Sequence, residues 1–154
     1  MPTTMQDFLA DATQKASTDL VTAYLRIPGG KRDWSPDTKA RTALDQMAEC
    51  ILLAGYTAIT IETKQMATGS MENFFSEKDK LKTQDWETLN ALLQENTAKV
   101  SAAIRSVPDS DLEVQISMPW GIMTIGQIIT YPSWNLHYHE GQINYIASIL
   151  GCLD

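Results

Sequence analysis

Both histidines of the chain, an amide and a carboxylate lie close together near the C-terminus, between Asn135 and Glu140. An imidazole near a carboxylate can form an ion pair, act as an acid–base pair or bind a metal ion. Asn135 and His139 are four residues apart, so on a helix they lie on one face, one turn apart. The apolar residues around them recur at spacings of three, four and seven, and His139 falls within that series. We therefore expect the His139 side chain to point into the protein.

Glu49 is the carboxylate that we expect to meet this pair, because it lies one position from the apolar stripe of a second predicted helix. Helix bundles build sites from inward side chains on facing helices. His137 projects about 200° away from His139 and is expected to face solvent or a partner. Trp134 and Tyr138 could line a pocket or a dimer surface, and core or interface is the commoner role. A lone histidine on an apolar face is also more often a hydrogen-bonded core residue than a ligand.

The composition favours one soluble domain over residues 1–154. Twelve basic and nineteen acidic residues give a net charge of −7 at pH 7. Such a surface repels phosphate groups and anionic lipid, so we expect neither nucleic acid nor a membrane as a partner. Cys50 and Cys152 form no disulfide framework, and no signal peptide or membrane-spanning stretch is visible. These features predict a cytoplasmic protein.

The spacing of the apolar residues predicts four long helices. The first runs from about Met5 to Arg26, and the third from about Gln84 to Ser106. The second begins at Ser35-Pro36-Asp37, where a hydroxyl, a proline and an acid form the strongest start signal in the chain. We expect it to continue for about 30 residues, to a stop near Gly69.

Two capping-box patterns are expected to open the first and last helices: Thr3 with Gln6, and Thr124 with Gln127. In this pattern the two side chains satisfy free backbone N–H groups at the helix start. Pro132 falls inside the last predicted helix and is expected to kink it, because proline removes a backbone donor.

The segments between the helices complete the predicted architecture. Residues 67–84 form a long polar connection, whereas residues 113–118 alternate polar and apolar, which predicts a short extended piece. Gly55 and Gly141 lie inside predicted helices and indicate close packing there, because glycine costs roughly 1 kcal/mol against alanine in a helix. The chain is therefore predicted to be all-α, a four-helix bundle.

The stretch from His139 to Ile146 resembles the final-helix signature of the DinB-like family of damage-inducible bacterial proteins. Arg32 to Pro36, followed by Lys39-Ala40-Arg41, also resembles the family's loop before its second helix. The helix order agrees over nearly the whole chain. The resemblance implies an up-down-down-up bundle with a long crossover connection, and frequently a homodimer.

The resemblance also implies a divalent-metal site of three histidines, one on helix two and two spaced four apart on the last helix. His139 matches one of them, whereas Glu49 and Asn135 stand at the other two positions. A set of one imidazole, one carboxylate and one amide argues against tightly bound zinc. It leaves a weakly held zinc, nickel or manganese ion, or no metal and three side chains joined by hydrogen bonds.

Two functions remain open from the sequence. Relatives implied by the resemblance include transferases and isomerases that use low-molecular-weight thiols. One hypothesis is therefore a metal- or thiol-dependent transferase or hydrolase-like enzyme, with His139 as ligand or base and Glu49 beside it. It lacks an identifiable nucleophile, because Cys50 points about 100° away from Glu49. The alternative is a non-catalytic, metal-free homodimeric bundle that binds a small ligand or a protein partner.

Overall fold

The computed structural model describes residues 3–67 and 70–154. These residues form six α-helices and one β-hairpin. In chain order they are α1 (Met5–Arg26), α2 (Ala43–Thr63), α3 (Met71–Leu81), α4 (Trp86–Ser106), β1 (Gln115–Met118), β2 (Gly121–Thr124), α5 (Ile125–Ile128) and α6 (Tyr131–Ile149). The four long helices form the predicted bundle. None of the helices formed by residues 3–67 and 70–154 has the length and apolar composition of a membrane-spanning helix.

Helix α1 packs between α4 and α6, and α2 packs against the same two helices on the other side. Arg105, near the end of α4, forms ion pairs with Asp7 and Asp11 near the start of α1. Further along, Thr97 donates a hydrogen bond to Ser17. Contacts that run in opposite chain directions show that α1 and α4 are antiparallel.

The remaining contacts fix the directions of α2 and α6. Arg26 at the end of α1 donates to Asn144 near the end of α6, so these two helices are parallel. Gln46 near the start of α2 contacts His139 in the middle of α6, whereas Thr57 near the end of α2 and Tyr131 at the start of α6 line a common cavity. Helices α2 and α6 are therefore antiparallel, and the bundle is up-down-down-up as predicted.

The predicted start of the second helix is wrong. Helix α2 begins at Ala43, where the Thr42 hydroxyl accepts from the Asp45 backbone N–H. The Ser35 hydroxyl instead donates to the Ala40 carbonyl at 2.7 Å and so holds the preceding loop. Serine is a common helix-capping residue, but its side chain can also form hydrogen bonds within turns, as Ser35 does here.

The predicted stop and the following connection also need correction. Helix α2 ends at Thr63, and Lys64 takes a left-handed conformation with φ of 55°. The proposed stop at Gly69 lies outside the described residues. Ser70 caps the start of α3, so the expected polar connection contains a helix of 11 residues. Phe74 is the one buried aromatic residue of this helix. A single buried apolar position shows no helical period in the sequence.

The C-terminal segment differs in detail from the prediction. The predicted extended piece is β1, and it pairs with β2 as an antiparallel hairpin. The capping box of Thr124 and Gln127 is present, but it opens the short helix α5. Helix α6 begins separately at Tyr131, so Pro132 lies in its first turn, where the missing N–H costs nothing. The predicted kink is therefore wrong.

The other cap and the two glycines give mixed outcomes. The capping box of α1 is formed by Thr4 and Asp7, one position after the predicted pair. A Cβ at Gly55 would lie 2.9 Å from the Asn96 side chain, so the predicted close approach of α2 and α4 is confirmed. No described residue of the chain lies within 4 Å of a Cβ at Gly141, which is exposed, so the predicted close packing is not present within the described chain.

Candidate functional site: the inner face of α6 and the adjoining cavity

His139 is buried at the centre of the bundle, as predicted, with its side chain 2% exposed. Its Nδ1 forms a hydrogen bond with the Gln46 side chain at 2.7 Å, and its Nε2 lies 3.0 Å from Glu49 Oε1. Gln46 and Glu49 are three residues apart on α2, so both face α6. The imidazole ring is therefore fixed at both nitrogens by one facing helix.

Glu49 is ionised and carries two positively polarised partners. Burial opposes its ionisation, but hydrogen bonds from His139 and Arg41 outweigh burial and lower the pKa of Glu49 to about 2. Arg41 Nη2 lies 2.5 Å from Glu49 Oε2. Each carboxylate oxygen thus has one strong donor, and Glu49 is too weak a base to remove a proton near neutral pH.

An ion-pair network extends from this site to α3. Arg41 Nε donates to Asp45 at 2.6 Å, and the largely buried Lys78 of α3 lies 3.0 Å from the same carboxylate. Burial again opposes ionisation of Asp45, but hydrogen bonds from these two cations lower its pKa. Lys82 adds a third cation at 3.5 Å. The network fastens α3 onto α2 beside Glu49.

The inner residues do not fit a tightly held metal ion. The Nε2 atom of His139 is engaged by Glu49 at 3.0 Å, so a metal ion would have to displace that contact. The guanidinium of Arg41 neutralises the carboxylate. No further histidine, cysteine, aspartate or glutamate completes a three-residue ligand group here within the described residues. Catalytic zinc sites use three protein ligands.

Asn135 is buried on the same face of α6 but does not join these residues. Its side chain forms no hydrogen bond with any described residue, and it is 4% exposed. It lines a small, mostly apolar cavity with Cys50, Leu53 and Tyr131. The expected hydrogen-bonded triad of Glu49, Asn135 and His139 therefore reduces to the Glu49–His139 pair.

Glu49 lines a cavity of about 380 Å³ that is open to the surface. Four of the seven methionines and a group of aromatic residues form most of its wall: Met66, Met71, Met118, Met123, Tyr56, Phe74, Phe75, Trp120, Tyr131 and Trp134. Glu49 is the one charged residue among the described residues that line it. Mostly apolar walls with a few polar groups, here Glu49 and two threonines, are typical of small-molecule sites.

Comparisons with known proteins give structural matches alone. No protein-family model and no curated protein matches the chain. The chain is similar to YfiT from Bacillus subtilis, a probable metal-dependent hydrolase with an unusual four-helix bundle topology. The identity is 18%, the match covers 98% of this chain and 90% of YfiT, and the TM-score is 0.82.

Two further solved structures match at lower TM-scores. A DinB-like protein from Bacillus subtilis is 12% identical, with 93% of this chain and 91% of that chain covered and a TM-score of 0.68. The chain has the DinB-like fold. The mycothiol-dependent maleylpyruvate isomerase contains the same fold; it is 12% identical over 99% of this chain and 65% of its own, with a TM-score of 0.64.

The DinB-like fold places His137 on the opposite face of α6, with its side chain 47% exposed. Its Nδ1 lies 3.0 Å from Glu140, and Asp19 of α1 is close to both. These three residues present ligand atoms within 4.8 Å of one another, so this exposed group could hold a metal ion. The spacing of residues along α6 does not reveal this group, because Asp19 comes from another helix.

The structure also shows the positions of Trp134, Tyr138 and Cys50. Trp134 lines the cavity and stacks on Tyr138, which is half-exposed. Cys50 is fully buried, and burial raises the pKa of its thiol, so it is no nucleophile.

Sequence reasoning missed Gln46 and Arg41. Gln46 could have been found from its spacing of three from Glu49. Arg41 lies before α2 in irregular structure, where no periodicity shows its direction.

Proposed function

We propose that the protein binds a small, largely apolar molecule in the cavity that ends at Glu49. The observation that supports this function is the cavity of about 380 Å³ with methionine and aromatic walls and one charged residue. Methionine side chains are flexible and polarisable, so such walls adapt to ligands of different shapes. The alternative from the sequence, a non-catalytic bundle that binds a small ligand, is therefore favoured.

The inner residues support binding better than acid–base or nucleophilic catalysis. Glu49 has a pKa of about 2, and His139 is held at both ring nitrogens. Cys50 is buried with a raised pKa. Both cysteines are free thiols, which favours a reducing compartment, and we propose the cytoplasm.

Fluorescence of the two tryptophans in the cavity wall, Trp120 and Trp134, tests the binding function. We expect titration with a neutral apolar probe such as N-phenyl-1-naphthylamine to give saturable binding near one molecule per chain. Leu53→Trp, which fills the cavity, should reduce it at least about tenfold, while Ile122→Trp on the exposed hairpin should not. Equal binding by both variants would contradict the proposal.

A second candidate is metal- or thiol-dependent transferase or hydrolase-like activity, which rests on the structural likeness to YfiT and to the mycothiol-dependent isomerase. The observation that favours it is the bond from Nδ1 of His139 to Gln46, since metal-ligating histidines commonly donate their second nitrogen to such a partner. Glu49, Asn135 and His139 would then hold a weakly bound zinc, nickel or manganese ion.

Titration calorimetry with zinc, nickel and manganese separates the two candidates. If the protein binds an apolar molecule without a metal, we expect His139→Ala to leave any metal uptake unchanged. Any uptake should then be lost in His137→Ala, which removes a ligand from the group of Asp19, His137 and Glu140. Loss of uptake in His139→Ala with retention in His137→Ala would instead support the metal-dependent function. Thiol transfer should then be assayed with that metal and a low-molecular-weight thiol.

We also propose that the protein is a homodimer through the outer face of α6. Four exposed side chains flank Gly141 at similar distances along the helix: Trp134, Tyr138, Tyr145 and Ile149. Two such helices crossing antiparallel at Gly141 would place Tyr138 opposite Tyr145, which is the self-complementary contact of a two-fold dimer. Light scattering should show a dimer that Tyr145→Arg converts to a monomer; an unchanged mass would contradict this interface.

A further inference from the structure

A buried polar group without a partner lies in the small cavity beside the main one. The Asn135 amide is 4% exposed and forms no hydrogen bond with any residue that the structure describes. Leaving a buried amide unsatisfied costs about 1–3 kcal/mol, and folded proteins contain few such groups. An amide kept at this cost is a candidate contact for a ligand.

The position of Asn135 connects it to the main cavity. The small cavity beside it shares three wall residues with the main one: Leu53, Thr57 and Tyr131. Tyr131 is half-buried, and its hydroxyl also forms no hydrogen bond with a described residue. The small cavity has no space of the size of a water molecule, so a ligand reaches Asn135 only if the Tyr131 ring turns aside.

The charges at this end select the kind of group that fits. Glu49 is already neutralised by Arg41 and bound by His139, but each carboxylate oxygen has a second lone pair. A neutral donor can use these lone pairs. Because Glu49 and Arg41 already neutralise each other, an ammonium or a carboxylate group would bring an unpaired charge into mostly apolar surroundings, and its loss of hydration would not be compensated.

We propose that the ligand is a neutral molecule with an apolar body and one hydroxyl or primary amide group, which contacts Glu49 and Asn135. This rests on the binding function proposed above and names its ligand class. The amide of Asn135 offers both a donor and an acceptor, and Glu49 accepts. The apolar body lies against the methionine and aromatic walls.

Four probes with the same hydrocarbon chain test the class: octan-1-ol, octanamide, octylammonium and octanoate, each titrated by calorimetry. We expect the alcohol and the amide to bind at least about tenfold more tightly than the two ions, which corresponds to about 1.4 kcal/mol. Tighter or equal binding of either ion would overturn the ligand class. No binding of any probe would overturn the binding function itself.

Asn135→Leu, with Asn144→Leu as its matched control, tests the role of the amide. Asn144 lies on the same helix but donates nothing to the cavity and contacts Arg26. Asn135→Leu should weaken octanamide binding about tenfold while leaving the folded state intact by circular dichroism. Asn144→Leu should leave the affinity unchanged. Full affinity in Asn135→Leu would overturn the role of Asn135.

Discussion

His139 and His137 lie two residues apart on α6, yet the side chain of His139 is 2% exposed and that of His137 is 47% exposed. Each lies 3.0 Å from a glutamate. The inner pair is joined by Gln46 and Arg41 from other parts of the fold, whereas the outer pair is a local contact within one helix turn. A histidine and a glutamate therefore form either a buried polar cluster or a solvated surface contact, and the side chains that pack against them decide which.

The largest difference should appear when each histidine is removed. His139→Ala takes a partner from buried Glu49 and Gln46, so we expect a loss of about 3–5 kcal/mol in unfolding free energy. His137→Ala removes an exposed contact and should cost less than about 0.5 kcal/mol. Urea unfolding at pH 7 measures both. Similar losses would show that the two faces are not distinct.

Lowering the pH should reduce the contribution of Glu49 to the unfolding free energy much more than that of Glu140. The pKa of Glu49 is about 2 in the folded state, below its ordinary value of 4.5. Ionised Glu49 therefore stabilises the fold fully above about pH 4.5, and this contribution is lost as the pH falls toward 2. We expect roughly 2–3 kcal/mol of acid-sensitive stability, at 1.36 kcal/mol for each pKa unit with allowance for solvent screening.

The matched variants Glu49→Gln and Glu140→Gln measure this contribution in urea unfolding between pH 7 and pH 3. Glu49→Gln should flatten the dependence relative to the unchanged protein. Glu140→Gln, on the outer face, should leave it nearly the same. A dependence that persists in Glu49→Gln would assign the acid sensitivity to another carboxylate, such as Asp45.

The unsatisfied amide predicts a stabilising substitution on the inner face. Asn135→Leu should raise the unfolding free energy by about 1 kcal/mol, because an unpartnered amide is replaced by an apolar side chain of similar size. Asn144→Leu, which loses its bond with Arg26 on the surface, should change stability by less than about 0.5 kcal/mol. A destabilised Asn135→Leu would show that the amide has a partner in solution.

The smallest expected effect concerns the outer face. Gly141→Ala should stabilise the monomer by about 0.5–1 kcal/mol, because alanine favours the helix and nothing lies within 4 Å of its Cβ. Gly55→Ala should destabilise it, since the new Cβ would lie 2.9 Å from Asn96. Thermal unfolding at low protein concentration, where monomers predominate, measures both. A destabilised Gly141→Ala would indicate close packing on the outer face.

Long helices with sustained apolar periodicity were predictable, and α1 has the predicted bounds. Short elements were not. The predicted connection contains α3, and its anchoring depends on Lys78 reaching Asp45, a contact between residues 33 positions apart. The start of α2 was misplaced because Ser35 holds a turn through the Ala40 carbonyl. A serine in this local sequence is compatible with a helix cap and with a turn, so the sequence alone does not distinguish them.

The sequence by itself determined that His139 is buried and that Glu49 lies on the facing helix, because helical periodicity decides which side of a helix meets the core. Tertiary structure alone decided that Gln46 and Arg41 join this pair, and that Asn135 faces a separate cavity. It also decided that methionine and aromatic residues from five separate segments enclose one cavity. The physical reason is that periodicity specifies on which side of its own helix a side chain lies. The residues that it contacts there depend on how distant segments of the chain pack together.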